Sequence, residues 1–162
     1  MTRNFPGAFD VLRPGSSEPR RVRPAAPGFT ILVISPDSED HIKLAELCAC
    51  SRWRFLEAQT CRQGLSGIRS DHVAVVVCER DLSDGTWKVV LEEVAQTPAA
   101  PLLIVASRLA DNALWAEVLN MGGYDVLLKP FEAEEVLWSL TSALRQWASQ
   151  TDLSAGLPPP AA

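Results

Sequence analysis

The chain has no long apolar run, and nothing in it approaches the roughly 18 residues a membrane-spanning helix needs. The arginines near its start lead into no apolar segment, so that region does not resemble a secretory signal. A cytoplasmic location without membrane contact is therefore expected. No internal repeat is visible. No CxxC pair occurs among the four cysteines, Cys48, Cys50, Cys61 and Cys78, which argues against a zinc or redox centre. Cys48 and Cys50 lie two apart on a predicted helix, so they point in different directions and chelate poorly. Cys78 closes an apolar strand, where cysteine acts as a small hydrophobe. Buried, reduced thiols and no bound metal are expected.

Positive charge is scarce outside the start of the chain. Residues 1–28 carry five arginines against Asp10 and Glu18, a net +3. Residues 29–162 carry 10 basic and 18 acidic groups, a net −8. So acidic a folded part argues against nucleic-acid binding through the domain itself. The arginines, scattered among Pro6, Pro14, Pro19, Pro24 and Pro27, read as solvated linker.

What remains is ordinary for one globular domain with tails: 162 residues, 47% hydrophobic and 22% charged. Residues 1–28 lack the apolar surface to offset ordering entropy and are expected to form a disordered basic tail. Residues 150–162, ending LPPPAA, are expected to be a second tail, leaving a folded unit over 29–149. Within it strand and helix signals alternate. FTILVIS (29–35) is a buried strand, and Ser38 offers the cap of a helix to about Cys50. A weaker strand, Trp53–Ala58, precedes a short helix over 60–70 that Gly64 and Gly67 weaken. Val73–Cys78 is the third strand, before a helix from about Thr86 to Gln96. PLLIVA (101–106) is the fourth strand, and Asp111 caps a helix to Met121. Tyr124–Leu128 is the fifth strand, before a last helix over Ala133–Ser149. Five strands alternating with five helices define an α/β fold, a doubly wound parallel sheet covered on both faces. Working groups in such folds gather at the carboxyl ends of the strands.

The residues at those ends are Ser35, Pro36 and Asp37, then Glu79, then Ala106 and Ser107, then Lys129 and Pro130. Here the chain resembles the receiver domain of bacterial two-component response regulators, over about residues 29–148. GGYDVLLKPF (122–131) resembles the family's segment before its last helix, and ERDLSDG (79–85) its phosphoacceptor strand end. The resemblance implies a flavodoxin-like strand order, 2-1-3-4-5. It also implies phosphoryl transfer to a carboxylate after the third strand, with a divalent metal, a Ser or Thr, and a lysine compensating charge.

Position by position, the match fails almost everywhere except at the lysine. Glu79 stands at the phosphoacceptor position. The acidic pair falls on Ser35 and Pro36, with Asp37 the one nearby acid. The Ser/Thr position falls on Ala106, with Ser107 adjacent, and the switch aromatic on Val126, with Tyr124 two residues earlier. Lys129 and Pro130, the latter resembling the family's cis proline, fit outright. Magnesium demands near-octahedral oxygen ligands, and these residues supply few. Glu79 reaches one methylene further than aspartate, which misplaces an attacking oxygen but suits a contact with Lys129. Read more plainly, Glu79 is a polar strand end turned to water and Lys129 a solvated loop lysine. Asp37 either favours a helix's positive end or is a vestigial ligand. Ser107 reads as a small residue at a tight strand end, and Asp81 and Asp84 as turn residues.

A stand-alone, phosphorylation-independent pseudo-receiver, non-enzymatic and without cofactor, is the leading expectation. The alternative is an active receiver, with Mg2+, that takes a phosphoryl group from a histidine kinase on Glu79 or Asp81. A nucleotide or flavin binder is disfavoured, because SPDSED after the first strand is acidic and lacks a glycine-rich loop. A DNA-binding regulator is disfavoured because no second domain follows residue 149. The expected partner is a signalling protein or a second copy. The expected surface is the face of the fourth helix, fifth strand and fifth helix, where Trp115 and Trp138 lie. Trp115 at the edge of an apolar arc also reads as ordinary core, whereas Trp138 falls opposite the core arc of its helix.

Overall fold

VAVVVCE, residues 73–79, carries β-branched side chains on both faces, and in the computed structural model all but the final glutamate are buried. The structure describes residues 28–156. This strand, β3 (Val73–Glu79), is the centre of a five-stranded parallel sheet with β1 (Thr30–Ile34), β2 (Arg54–Ala58), β4 (Leu102–Ser107) and β5 (Asp125–Leu128). The order is β2-β1-β3-β4-β5, the doubly wound arrangement expected.

Helices α1 (Ser38–Leu47) and α5 (Ala133–Gly156) cover one face, packing Leu44, Val136, Leu140 and Leu144 on Ile31, Val75 and Ile104. Helices α2 (Cys61–Ser70), α3 (Trp87–Ala95) and α4 (Asn112–Met121) cover the other, with Trp87, Val90 and Val118 over Leu32, Val76 and Val105. The cap expected at Asp111 is present, and Thr60 and Thr86 act as caps too: each of the three accepts an N–H from the first turn that follows. Gly122, left-handed at φ 102°, ends α4.

Three expectations need correction. Asp37, not Ser38, caps α1, accepting from the N–H of Glu39 at 3.0 Å. Residues 150–156 continue α5 rather than beginning a tail, because no helix breaker intervenes before Gly156 and Pro158. Asp81, expected in a turn, lies instead in a short strand: Asp81–Leu82 pairs antiparallel with Gly85–Thr86, and Asp84 sits in the turn between them, as expected. The remaining tail residues, 1–27 and 157–162, lie outside the described residues.

The glycines of α2 do more than lower helix propensity. A Cβ on Gly64 would overlap Ile34 Cδ1 and come within 2.9 Å of its Cγ1, so this glycine lets α2 lie close on the sheet. A Cβ on Gly67 would meet Leu32 at 3.5 Å, an ordinary contact. Gly67→Ala is therefore expected to stabilise the fold by about 0.5–1 kcal/mol, the helix-propensity gain. Gly64→Ala makes the same gain but must displace a fully buried isoleucine, at about 1–3 kcal/mol. Denaturant midpoints should move in opposite directions; a shared direction would contradict the close approach of α2.

The cysteines separate as their burial requires. Cys48, Cys61 and Cys78 are buried and Cys50 is exposed, all as free thiols. Burial pushes the Cys48 thiol up to about 12. Burial and the neighbouring Asp84 carboxylate push Cys61 up to about 11. Thiolate is the reactive form. A thiol reagent at neutral pH should thus label Cys50 quickly and the other three only on unfolding.

Candidate functional site

At the carboxyl edge of the sheet, β3 delivers Glu79 beside Ala106 of β4, and β5 ends one residue before Lys129. The Lys129–Pro130 peptide is cis. The ammonium of Lys129, only 8% exposed, forms an ion pair with Oε2 of Glu79. It also donates to Oδ2 of Asp40, at 2.5 Å. Asp40 is buried too, and the hydroxyl of Ser35 donates to the same Oδ2 at 2.6 Å. One cation is thus shared by two carboxylates drawn from α1 and β3. Burial acts to lower the Lys129 pKa, but the hydrogen bonds it donates to Asp40 and Glu79 outweigh it and hold the ammonium above its ordinary value.

Asp40 is the residue that sequence reasoning missed. Of the acids in SPDSED, Asp37 is the one expected near the site, yet its Oδ1 is committed to the cap of α1. Asp40 lies in the first turn of that helix and shares its buried side with His41 and Leu44. The signal was present: an acid three residues past a cap, one helical turn on, with an apolar residue a turn further. His41 fixes the same corner, its Nε2 lying 2.9 Å from the carbonyl oxygen of Ser35.

The other expected positions fall as follows. Ala106 presents a buried methyl beside Glu79. Ser107 is buried, and its hydroxyl accepts from the N–H of Leu109 at 3.1 Å, closing a turn. Val126 is buried among the core of α3 and α4. Tyr124 is no shifted copy of that position: it precedes the first residue of β5 and packs on the opposite core, with α5. Burial raises the Tyr124 phenol pKa, and a hydrogen bond with Ser142 opposes that rise. Asp81 is exposed and paired with Arg80 at 2.8 Å. Asp84 is more than a turn residue, since its carboxylate accepts from the N–H groups of Cys61 (2.8 Å) and Arg62 (3.1 Å). It thereby caps α2 from across the edge, and those two hydrogen bonds lower its pKa. Trp115 and Trp138 are 50% and 47% exposed, so neither is core.

A shallow cleft of about 290 Å³ opens above this edge, lined by Ser35, Asp37, Glu79, Arg80, Ser107 and Lys129. The residues present do not fit a divalent cation. Pro36 offers no side-chain oxygen, Asp37 is committed to its cap, and the carboxylates of Asp40 and Glu79 already hold an ammonium. Among the described residues no group of three His, Cys, Asp or Glu side chains could hold a metal ion. None of their helices is long and apolar enough to cross a membrane.

This architecture is that of the receiver domains of two-component response regulators. The chain superposes on the signal receiver domain of an HD domain-containing protein from Pseudomonas fluorescens Pf-5 with a TM-score of 0.72 at 22% identity, covering 82% of this chain and 98% of that one. A two-component response regulator from Clostridium difficile matches with a TM-score of 0.66 at 22% identity, over 73% of this chain and 97% of that one. A response regulator receiver domain from Clostridium thermocellum gives 0.67 at 19%, over 75% and 98%. Likeness at such identities defines the fold. No protein-family model and no curated protein matches the chain.

Proposed function

We propose that this chain is a receiver-like signalling domain that works without phosphorylation, by binding another protein rather than by catalysis. The observation that carries the reading is the sharing of the Lys129 ammonium between Asp40 and Glu79. In a working receiver that lysine neutralises charge arriving with a phosphoryl group. Here it is already neutralised from within. A phosphodonor approaching Glu79 meets a lysine whose charge is already shared by two carboxylates, so that cation is not free to compensate arriving phosphoryl oxygens. Glu79 occupies the acceptor position and supplies a fixed negative charge there.

The face of α4, β5 and α5 is the proposed contact surface. It exposes Trp115 and Trp138, a residue type enriched where binding energy concentrates.

The test is intact-mass measurement after incubation with magnesium and a small phosphodonor such as acetyl phosphate. The expected result is an unchanged mass, with no saturable magnesium binding by titration calorimetry. Stoichiometric gain of a phosphoryl group would overturn the proposal and establish an active receiver, with Glu79 or Asp81 as acceptor according to the modified peptide.

A further inference from the structure

Edge strand β5 is flanked by apolar side chains that the fold leaves outside. Trp115 and Leu119, one helical turn apart on α4, are 50% and 36% exposed; Leu128 on β5 is 45% exposed and Trp138 on α5 is 47% exposed. Acidic residues predominate on the elements that carry them. Asp111, Glu134 and Glu135 are exposed, while Glu117 is paired with Lys88 of α3. Neither α4 nor β5 contains a basic residue, and Arg145, about two turns beyond Trp138, is the one basic residue of α5. An occupant of this face should therefore be apolar and basic.

The chain carries such a segment itself. Residues 3–13 read RNFPGAFDVLR: Phe5, Phe9, Val11 and Leu12 between Arg3 and Arg13, with one acid, Asp10. Arg20, Arg21 and Arg23 follow, and residues 1–28 carry net +3 against net −8 for the rest. We propose that residues 3–13 dock on the α4–β5–α5 face of their own chain, setting Phe5, Phe9 and Leu12 against Trp115, Leu119, Leu128 and Trp138, with the arginines on the flanking acids.

Length permits it. Between Leu12 and Gly28 the chain has 15 residues. A flexible linker of that length spans about 21 Å on average, and an extended proline-rich one about 46 Å. The linker enters at β1, and β5 lies three positions away in the sheet, about 15 Å at the usual strand spacing, so the segment reaches the face beside β5. Tethering of this kind gives an effective concentration of order millimolar, so even weak docking is populated. An external partner using this face must displace the segment, which makes the tail a built-in competitor. The proposal rests on the choice of contact surface made above but not on the chemistry of Glu79.

The test places a photo-crosslinking benzoylphenylalanine at Phe9 in the full chain, irradiates at several protein concentrations, and maps products by mass spectrometry. The expected result is cross-links to peptides spanning residues 115–138, within single chains, at a yield independent of concentration. Arg3→Glu with Arg13→Glu, which leaves the folded unit untouched, should lower that yield roughly tenfold, a change of about 1.4 kcal/mol. Trp138→Ala should lower it as well. Cross-links scattered over the surface, or formed only between differently isotope-labelled chains, would overturn the proposal; the second result would assign the face to a second copy. A chain that takes no phosphoryl group yet gives neither cross-link loses this inference and keeps the function proposed above.

Discussion

Replacing Lys129 by methionine is expected to destabilise the domain by about 3 kcal/mol or more, the usual cost of removing one partner from a buried ion pair. Methionine conserves the packing of the stem but leaves Asp40 and Glu79 facing each other with no cation between them. For a domain of this size that cost corresponds to a fall in melting temperature of about 10–15 °C. Adding Glu79→Gln should recover part of the loss, because one of the two unpaired charges is then gone. The pH dependence distinguishes this from simple loss of packing. The lysine pKa is held above its ordinary 10.5 in the folded state, so the stabilisation is fully present below that pH. It is lost as pH rises through the elevated value. Wild type should thus weaken more steeply than the variant in alkaline solution. A melting temperature within about 2 °C of wild type would show that the shared ammonium contributes little.

Trp87→Ala is expected to cost about 3–5 kcal/mol, the range for emptying a buried aromatic site. Trp87 is 2% exposed and begins α3, packed in the core beneath that helix. Its backbone N–H donates to the carbonyl of Arg80 at 3.1 Å, closing the hairpin that follows Glu79. Trp87 shares its core with Cys61 of α2 and Leu82 of the hairpin, so amide exchange should rise in both the hairpin and the first turn of α2. Trp115→Ala and Trp138→Ala, by contrast, should change stability by no more than about 0.5 kcal/mol, as surface substitutions do. Urea denaturation of the three variants checks the contrast directly. Equal losses at Trp87 and Trp138 would contradict the burial on which the proposed contact surface depends.

Glu79 and Lys129 show how a pairwise expectation can be sound and still incomplete. Their positions at the ends of β3 and β5 follow from apolar runs whose limits are plain in the chain, and the sheet order brings those ends together. The third member, Asp40, comes from a helix. Which acid of SPDSED turns inward depends on how the chain leaves β1 and enters α1, and a cap displaced by one residue is enough to hide it. Asp84 was obscured in a similar way, because its partners at the start of α2 lie more than twenty positions earlier.

The sequence by itself determined the alternation of strands and helices, and with it the doubly wound sheet and the edge where chemistry gathers. Periodicity and capping are local properties, readable without knowing what lies opposite. Tertiary structure decided which side chains share that edge's buried lysine and which tryptophans remain outside. It also decided that Tyr124 and Val126 face opposite cores. These outcomes depend on contacts between residues distant in the chain, where helix phase and strand start fix direction and no local pattern records it.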